Sequence, residues 1–98
     1  MNRDEIIAKL RETAPALRAE RVTSLAIFGS RSRGDARQDS DLDVLVEVDP
    51  DANFSLLDLV DVQHIIQDAL GIETQATLKD DLTHRIAERI ADDLIKVF

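Results

Sequence analysis

Asp41 and Asp43 stand one residue apart at the head of an apolar run, Leu42 to Val48. Ten residues upstream of Asp41, another apolar run ends abruptly at Gly29-Ser30. In an extended strand alternate side chains share a face, so Asp41 and Asp43 are expected to project together while Leu42 and Val44 enter a core. Paired carboxylates beside a Gly-Ser turn suit a hard divalent cation and the phosphates such a cation carries. Other chemistries are poorly supplied. With no cysteine there is no thiolate, disulfide or sulfur-bound zinc, and two histidines alone are too few for a zinc site.

The elements that must position these residues read in the order α-β-(short α)-β-α-β-α. Ile6, Ile7 and Leu10 recur at helical spacing from Asp4 to about Thr13, with Asn2 as the cap and Pro15 as the expected break. Val22 to Phe28 reads as a buried strand, and a short helix is expected to begin at Ser30. Asp41 to Val48 reads as a second strand, stopped by Asp49-Pro50-Asp51. Ser55-Leu56-Leu57-Asp58 has the form of a capping box, opening a helix expected to bury Leu56, Leu57, Val60, Ile65, Ile66 and Ala69 and to end at Gly71. Ile72 to Leu78 reads as a third strand. Leu82, Ile86, Ile90, Leu94 and Phe98 step by four along a last helix capped by Asp80 or Asp81. Alternating helices and strands predict a two-layer α/β domain over residues 1–98, with a three-stranded sheet and one face partly open for a site.

Composition narrows the function. Of 98 residues, 44% are apolar and 33% charged, as in a folded globular chain. A net charge of -8 argues against gripping nucleic acid through phosphate contacts, and three phenylalanines without tyrosine or tryptophan supply no base-stacking platform. No apolar stretch approaches the roughly 20 residues of a membrane span, and the start, Met1-Asn2-Arg3-Asp4-Glu5, is not a secretion signal. A cytoplasmic protein is expected.

The Gly29-Ser30 pair, ten residues, and Asp41-Leu42-Asp43 resemble the signature of the nucleotidyltransferase superfamily that includes DNA polymerase beta. Phe28-Gly29-Ser30-Arg31-Ser32-Arg33-Gly34-Asp35-Ala36-Arg37, followed by Asp39 to Asp43, is similar more narrowly to the minimal nucleotidyltransferases of prokaryotes. Many of these are antitoxins paired with a HEPN-domain ribonuclease. The resemblance extends over nearly the whole chain and implies the polymerase beta-like fold. It implies Mg²⁺ on Asp41 and Asp43, ATP as substrate, Gly29 and Ser30 at the triphosphate, and Arg31 and Arg33 within reach of phosphate oxygens. The implied reaction moves AMP to an acceptor hydroxyl, with Asp41, Asp43 and Ser30 as the working groups.

One departure stands out. Such proteins usually carry a third acid on the strand before the last helix, and here that position falls on Gln75. Glu73 lies two residues earlier on the same expected face, where a bulge could bring it in. Two functions therefore compete: an antitoxin that adenylylates a tyrosine of its toxin, and one that masks the toxin by contact alone. Transfer to a small molecule is a third reading, disfavoured because no second domain is present to bind the acceptor. Around the motif, Gly34-Asp35 reads as a turn and Asp39-Ser40 as a loop brace. Arg37 is read either as a phosphate contact or as a structural partner of an acid. His64 and His84 read as solvated.

Overall fold

A computed structural model describes residues 1–98. Helix α1 spans Arg3–Ala19, strand β1 Val22–Phe28, the one-turn helix α2 Ser30–Arg33, and β2 Leu42–Val48. Helix α3 spans Leu56–Leu70, β3 Thr74–Leu78, α4 His84–Ile90, and a short β4 Ile95–Lys96. The sheet order is β3-β2-β1-β4. β2 runs antiparallel to β1 and parallel to β3, and β4 is antiparallel to β1.

The expected class holds, and the start signals act as read. Asn2 accepts the Glu5 N–H at 2.8 Å while Glu5 returns a bond to the Asn2 N–H, a reciprocal capping box. Ser55 and Asp58 do the same for α3, and Gly71 ends that helix in the left-handed conformation. One face of the sheet carries Leu25, Ile27, Leu42, Val44 and Val46, all fully buried. Ile6, Leu10 and Leu17 of α1 and Val62 and Ile66 of α3 close over it. β3 is an edge strand, and α3 covers its free N–H groups: Gln67 accepts from Thr74 at 3.1 Å and Gln63 from Ala76 at 2.8 Å. Glutamines four apart on one helix face thus blunt an edge that would otherwise invite pairing.

Three expectations are corrected. The first helix does not stop at Pro15 but continues to Ala19. Its buried face, Ile6, Leu10, Ala14 and Leu17, carries across the proline, so tertiary packing outweighs the missing hydrogen bond. Pro15 itself is exposed. Replacing it by alanine restores an N–H to the ladder without disturbing the core. We expect Pro15→Ala to raise unfolding free energy by about 1–3 kcal/mol in urea titration; a loss of stability would show that the proline is needed to seat Leu17.

In α3 the buried stripe is Leu59, Val62 and Ile66, whereas Leu56 and Leu57 are 75% and 76% exposed. Leu57 sits roughly 160° round the axis from Leu59, and Leu56 belongs to the opening turn. Val60, Ile65 and Ala69 are only half-buried. At the C-terminal end, the cap of α4 is Thr83, whose side chain accepts from the Ile86 N–H, and α4 stops at Ile90. A step of four residues overshoots the helical turn by about 40°, so a seam from Leu82 to Phe98 would wind round the helix instead of holding one face. Ile95 and Lys96 instead form a fourth strand on the free edge of β1, pairing with Ile27 and Ala26. Phe98 lies against α1, with the Arg18 guanidinium 4.8 Å over its ring.

Candidate active site

β1 ends at Phe28, which pairs across the ladder with Asp43 of β2. Gly29 therefore turns directly beside the Asp43 carboxylate. Its φ of 76° and ψ of -160° are open to glycine and strained for other residues. A Cβ built there would lie 2.5 Å from Asp43 Oδ2. The missing side chain is what leaves room for the carboxylate. Ser30 opens α2, and no side chain caps the first turn of that helix.

Asp41 precedes β2 and is exposed; Asp43 is half-buried. Burial pushes the Asp43 carboxyl above the ordinary carboxylate range, the negative charge of Asp41 pushes it further, and the Arg33 guanidinium partly opposes both. An acid whose ionisation is disfavoured by a second acid beside it, with no histidine or cysteine at hand, fits a hard divalent cation such as magnesium. The space kept open by Gly29 fits the same reading.

The arginines divide. Arg31 was expected at a phosphate, but its side chain is only 7% exposed. Its Nε donates to the Ser40 carbonyl at 2.9 Å, and its Nη2 reaches the carbonyls of Gln38 at 3.3 Å and Arg37 at 3.5 Å. It holds the loop that returns the chain to Asp41. The reason is length: from the first turn of α2 the guanidinium reaches back under a polar loop whose carbonyls need donors. Arg33 stays exposed, with Nε 3.0 Å from Asp35 Oδ2 and Nη1 2.9 Å from Asp93 Oδ2. Ser32 Oγ donates to the Asp93 carbonyl. Asp93 thus ties the segment after α4 to the Gly-Ser turn. No local signal in the sequence marks Asp93, since its partners lie about 60 residues away in the chain.

Ser40 Oγ accepts from the Arg37 N–H at 2.9 Å, bracing the loop as expected. Arg37 lines a cleft of about 640 Å³ together with Arg3 and Arg31, which contains neither Gly29 nor the two aspartates. A second acidic group, Glu20, Asp58 and Asp61, lies near the start of β1, at the end of the sheet away from Asp43.

Gln75 pairs in register with Asp43 on the parallel strand β3, and Thr74 with Leu42. The register is unbroken from Leu42 to Val46, so no bulge carries Glu73 to Asp43. Glu73 lies one pleat outward, its carbonyl accepting from the Leu42 N–H at 2.8 Å. The neighbour of Asp43 is an amide.

A strand-turn-helix with a side-chain-free corner against one of two paired acids is a known arrangement, and residues 5–97 match the family described as nucleotidyltransferase domain. The chain belongs to that family. The nucleotidyltransferase is 30% identical over 76 residues to the protein adenylyltransferase MntA of Thermococcus cleftensis, covering 78% of this chain and 75% of that one. A solved structure described as a minimal nucleotidyltransferase superposes with a TM-score of 0.81 at 26% identity, over 97% of this chain and 95% of that one. The fold, at 15% identity and a TM-score of 0.61, is also that of a solved chain in a complex described as a tri-AMPylated Shewanella oneidensis HEPN toxin with its MNT antitoxin; the match covers 99% of this chain and 69% of that one. No helix of the nucleotidyltransferase is long and apolar enough to cross a membrane.

Proposed function

We propose that this nucleotidyltransferase is a cytoplasmic antitoxin that transfers AMP from ATP to a tyrosine hydroxyl of a HEPN-family ribonuclease toxin. The observation that carries the reading is the contact of Gly29 with the Asp43 carboxylate beside Asp41. The relatives' adenylyltransferase and toxin-antitoxin descriptions support the choice of acceptor. The acceptor oxygen bonds to the α-phosphorus, the bond from that phosphorus to the α,β-bridging oxygen breaks, and pyrophosphate leaves with that oxygen. The hydroxyl proton goes to water. Asp41 and Asp43 would hold magnesium, which when bound would compensate triphosphate charge. Ser30 and the Gly29 turn seat the terminal phosphates, and Arg33 exchanges Asp35 and Asp93 for phosphate oxygens, a charge-assisted pairing of the same kind. A net charge of -8 complements a basic, RNA-cleaving partner.

Mixing the protein with ATP, Mg²⁺ and the toxin encoded beside it should add about 329 Da per AMP to the toxin in intact mass spectra, as ATP less pyrophosphate requires. The Asp41→Asn/Asp43→Asn pair should add nothing.

A second reading, neutralisation by contact with little or no transfer, rests on Gln75, which is neutral and cannot take the acceptor proton. Because Gln75 is in register with Asp43, Gln75→Glu places a carboxylate on the outer face of the sheet beside it. Single-turnover transfer should rise by about 10²-fold, the lower end of what a general base contributes. An unchanged rate, with no mass shift in the wild type and full neutralisation by the double aspartate variant, would favour masking.

A further inference from the structure

The cleft lined by Arg3, Arg31 and Arg37 has no aspartate or glutamate among its twelve lining residues, in a chain that carries 20 acids and a net charge of -8. None of the three arginines is paired with a carboxylate. Arg31 is the unusual member. It is more than nine-tenths buried, and a buried charge is ordinarily matched by an opposite one. Here Nε and Nη2 donate to three loop carbonyls, while Nη1 donates to nothing in the protein. No buried side-chain nitrogen lacks a partner, so Nη1 is the open edge of an otherwise enclosed group, at the cleft that Arg31 lines. Arg3 donates to the Ser32 carbonyl at 3.0 Å. Arg37 is exposed, and its N–H is bonded through the backbone alone.

We infer that this cleft binds a small organic phosphate of mononucleotide type, at a place separate from Asp41 and Asp43. The inference does not depend on AMP transfer at the acid pair. Three guanidinium groups without a carboxylate call for an anion, and a terminal phosphate, with two charges and three oxygens, can engage more than one of them. Size and wall decide the rest of the ligand. The volume of about 640 Å³ is that of a small-molecule site and far exceeds what a free phosphate fills. Ile6, Leu70 and Ile72 supply apolar wall for the ring of a base. A polynucleotide is disfavoured, because a chain of net charge -8 repels a long polyanion, whereas a mononucleotide brings only its own phosphate. The site is also built in advance: the carbonyls of the 37–40 loop fix Arg31, and Ile6 is anchored in the core of α1.

The test is titration with AMP in EDTA, which removes the divalent cation needed to hold a nucleotide at the acid pair. AMP should shift the methyl resonances of Ile6 and Ile72. By calorimetry it should bind about tenfold or more tighter than adenosine, which lacks the phosphate, and than inorganic phosphate, which lacks the ring. Arg3→Ala/Arg37→Ala should weaken AMP binding by about tenfold or more, as loss of hydrogen bonds to a charged group implies. Arg37→Glu, at an exposed position, should do the same with the melting temperature unchanged. The Asp41→Asn/Asp43→Asn pair should bind AMP as the wild type does. No binding of AMP overturns the inference, as does equal binding by both arginine variants. Inorganic phosphate that binds as tightly as AMP also overturns it. So does loss of binding in the aspartate pair, which would put the nucleotide at Asp41 and Asp43.

Discussion

Gly29→Ala is expected to lower AMP transfer by about 10²-fold, the penalty of moving a reacting group by roughly an ångström. The added Cβ meets Asp43 Oδ2 at 2.5 Å, closer than any real Cβ contact, and the carboxyl carbon at 3.4 Å. One of two things must move. If the carboxylate swings away, it leaves the position from which it can share a cation with Asp41. If the backbone moves, the turn proposed to seat the triphosphate moves with it, because Gly29 carries the carbonyl that accepts the Ser32 and Arg33 N–H groups of α2. The backbone conformation adds a cost of about 1–3 kcal/mol for any residue with a side chain. Thermal melting separates loss of fold from loss at the site: a variant folded at assay temperature yet inactive locates the damage at the contact of Gly29 with Asp43. Wild-type transfer by Gly29→Ala would remove the main support for this site.

Asp43→Asn should abolish transfer, by about 10³-fold or more, and at the same time make the protein more stable at neutral pH. The activity loss follows from removing one of the two acids proposed to hold the cation. The stability gain follows from the direction of the Asp43 shift. Its carboxyl is raised from the ordinary 3.8, first by burial and then by Asp41. The folded state therefore holds the Asp43 proton more tightly than the unfolded state does. That contribution to stability is fully present below about pH 3.9 and is lost as pH rises through the elevated folded value. At pH 7 the wild type bears an ionised, half-buried acid beside another acid; asparagine removes the charge and keeps the shape. Melting curves should show the variant ahead of the wild type at pH 7 and the two converging as the pH falls towards 4. Mg²⁺ should raise the wild-type melting temperature and leave the variant's almost unchanged. A variant less stable than the wild type at pH 7 without Mg²⁺ would mean that the Asp43 carboxylate is held by favourable contacts.

These two positions also mark how far the chain could be read without coordinates. The alternation Asp41-Leu42-Asp43-Val44 announces a strand with acids on one face, and the abrupt end of Val22–Phe28 at Gly29-Ser30 announces the turn. Local rules carry both, because a period of two and a residue free of a side chain are written in adjacent positions. The capping boxes at Asn2 and Ser55 were legible for the same reason. Arg31 and Arg33 were not separable: both are arginines on one short turn, and only the path of the 37–40 loop decides that Arg31 is enclosed by carbonyls while Arg33 faces Asp35 and Asp93. The C-terminal segment failed for a different reason. Its spacing of four is compatible with a helix for a few turns, but β1 had an unfilled edge, and Ile95 with Lys96 pairs there.

What the sequence determined by itself was local: which stretches alternate, where helices start, that the chain has no thiol chemistry to offer, and that a Gly-Ser turn precedes two acids by a set distance. Tertiary structure decided which face each acid shares and with whom. It set Gln75 beside Asp43 through the parallel β2–β3 register and brought Asp93 to Arg33 across 60 residues. Those outcomes depend on pairing register and on the competition of distant segments for the same backbone edges and apolar surface. Short-range periodicity does not encode either.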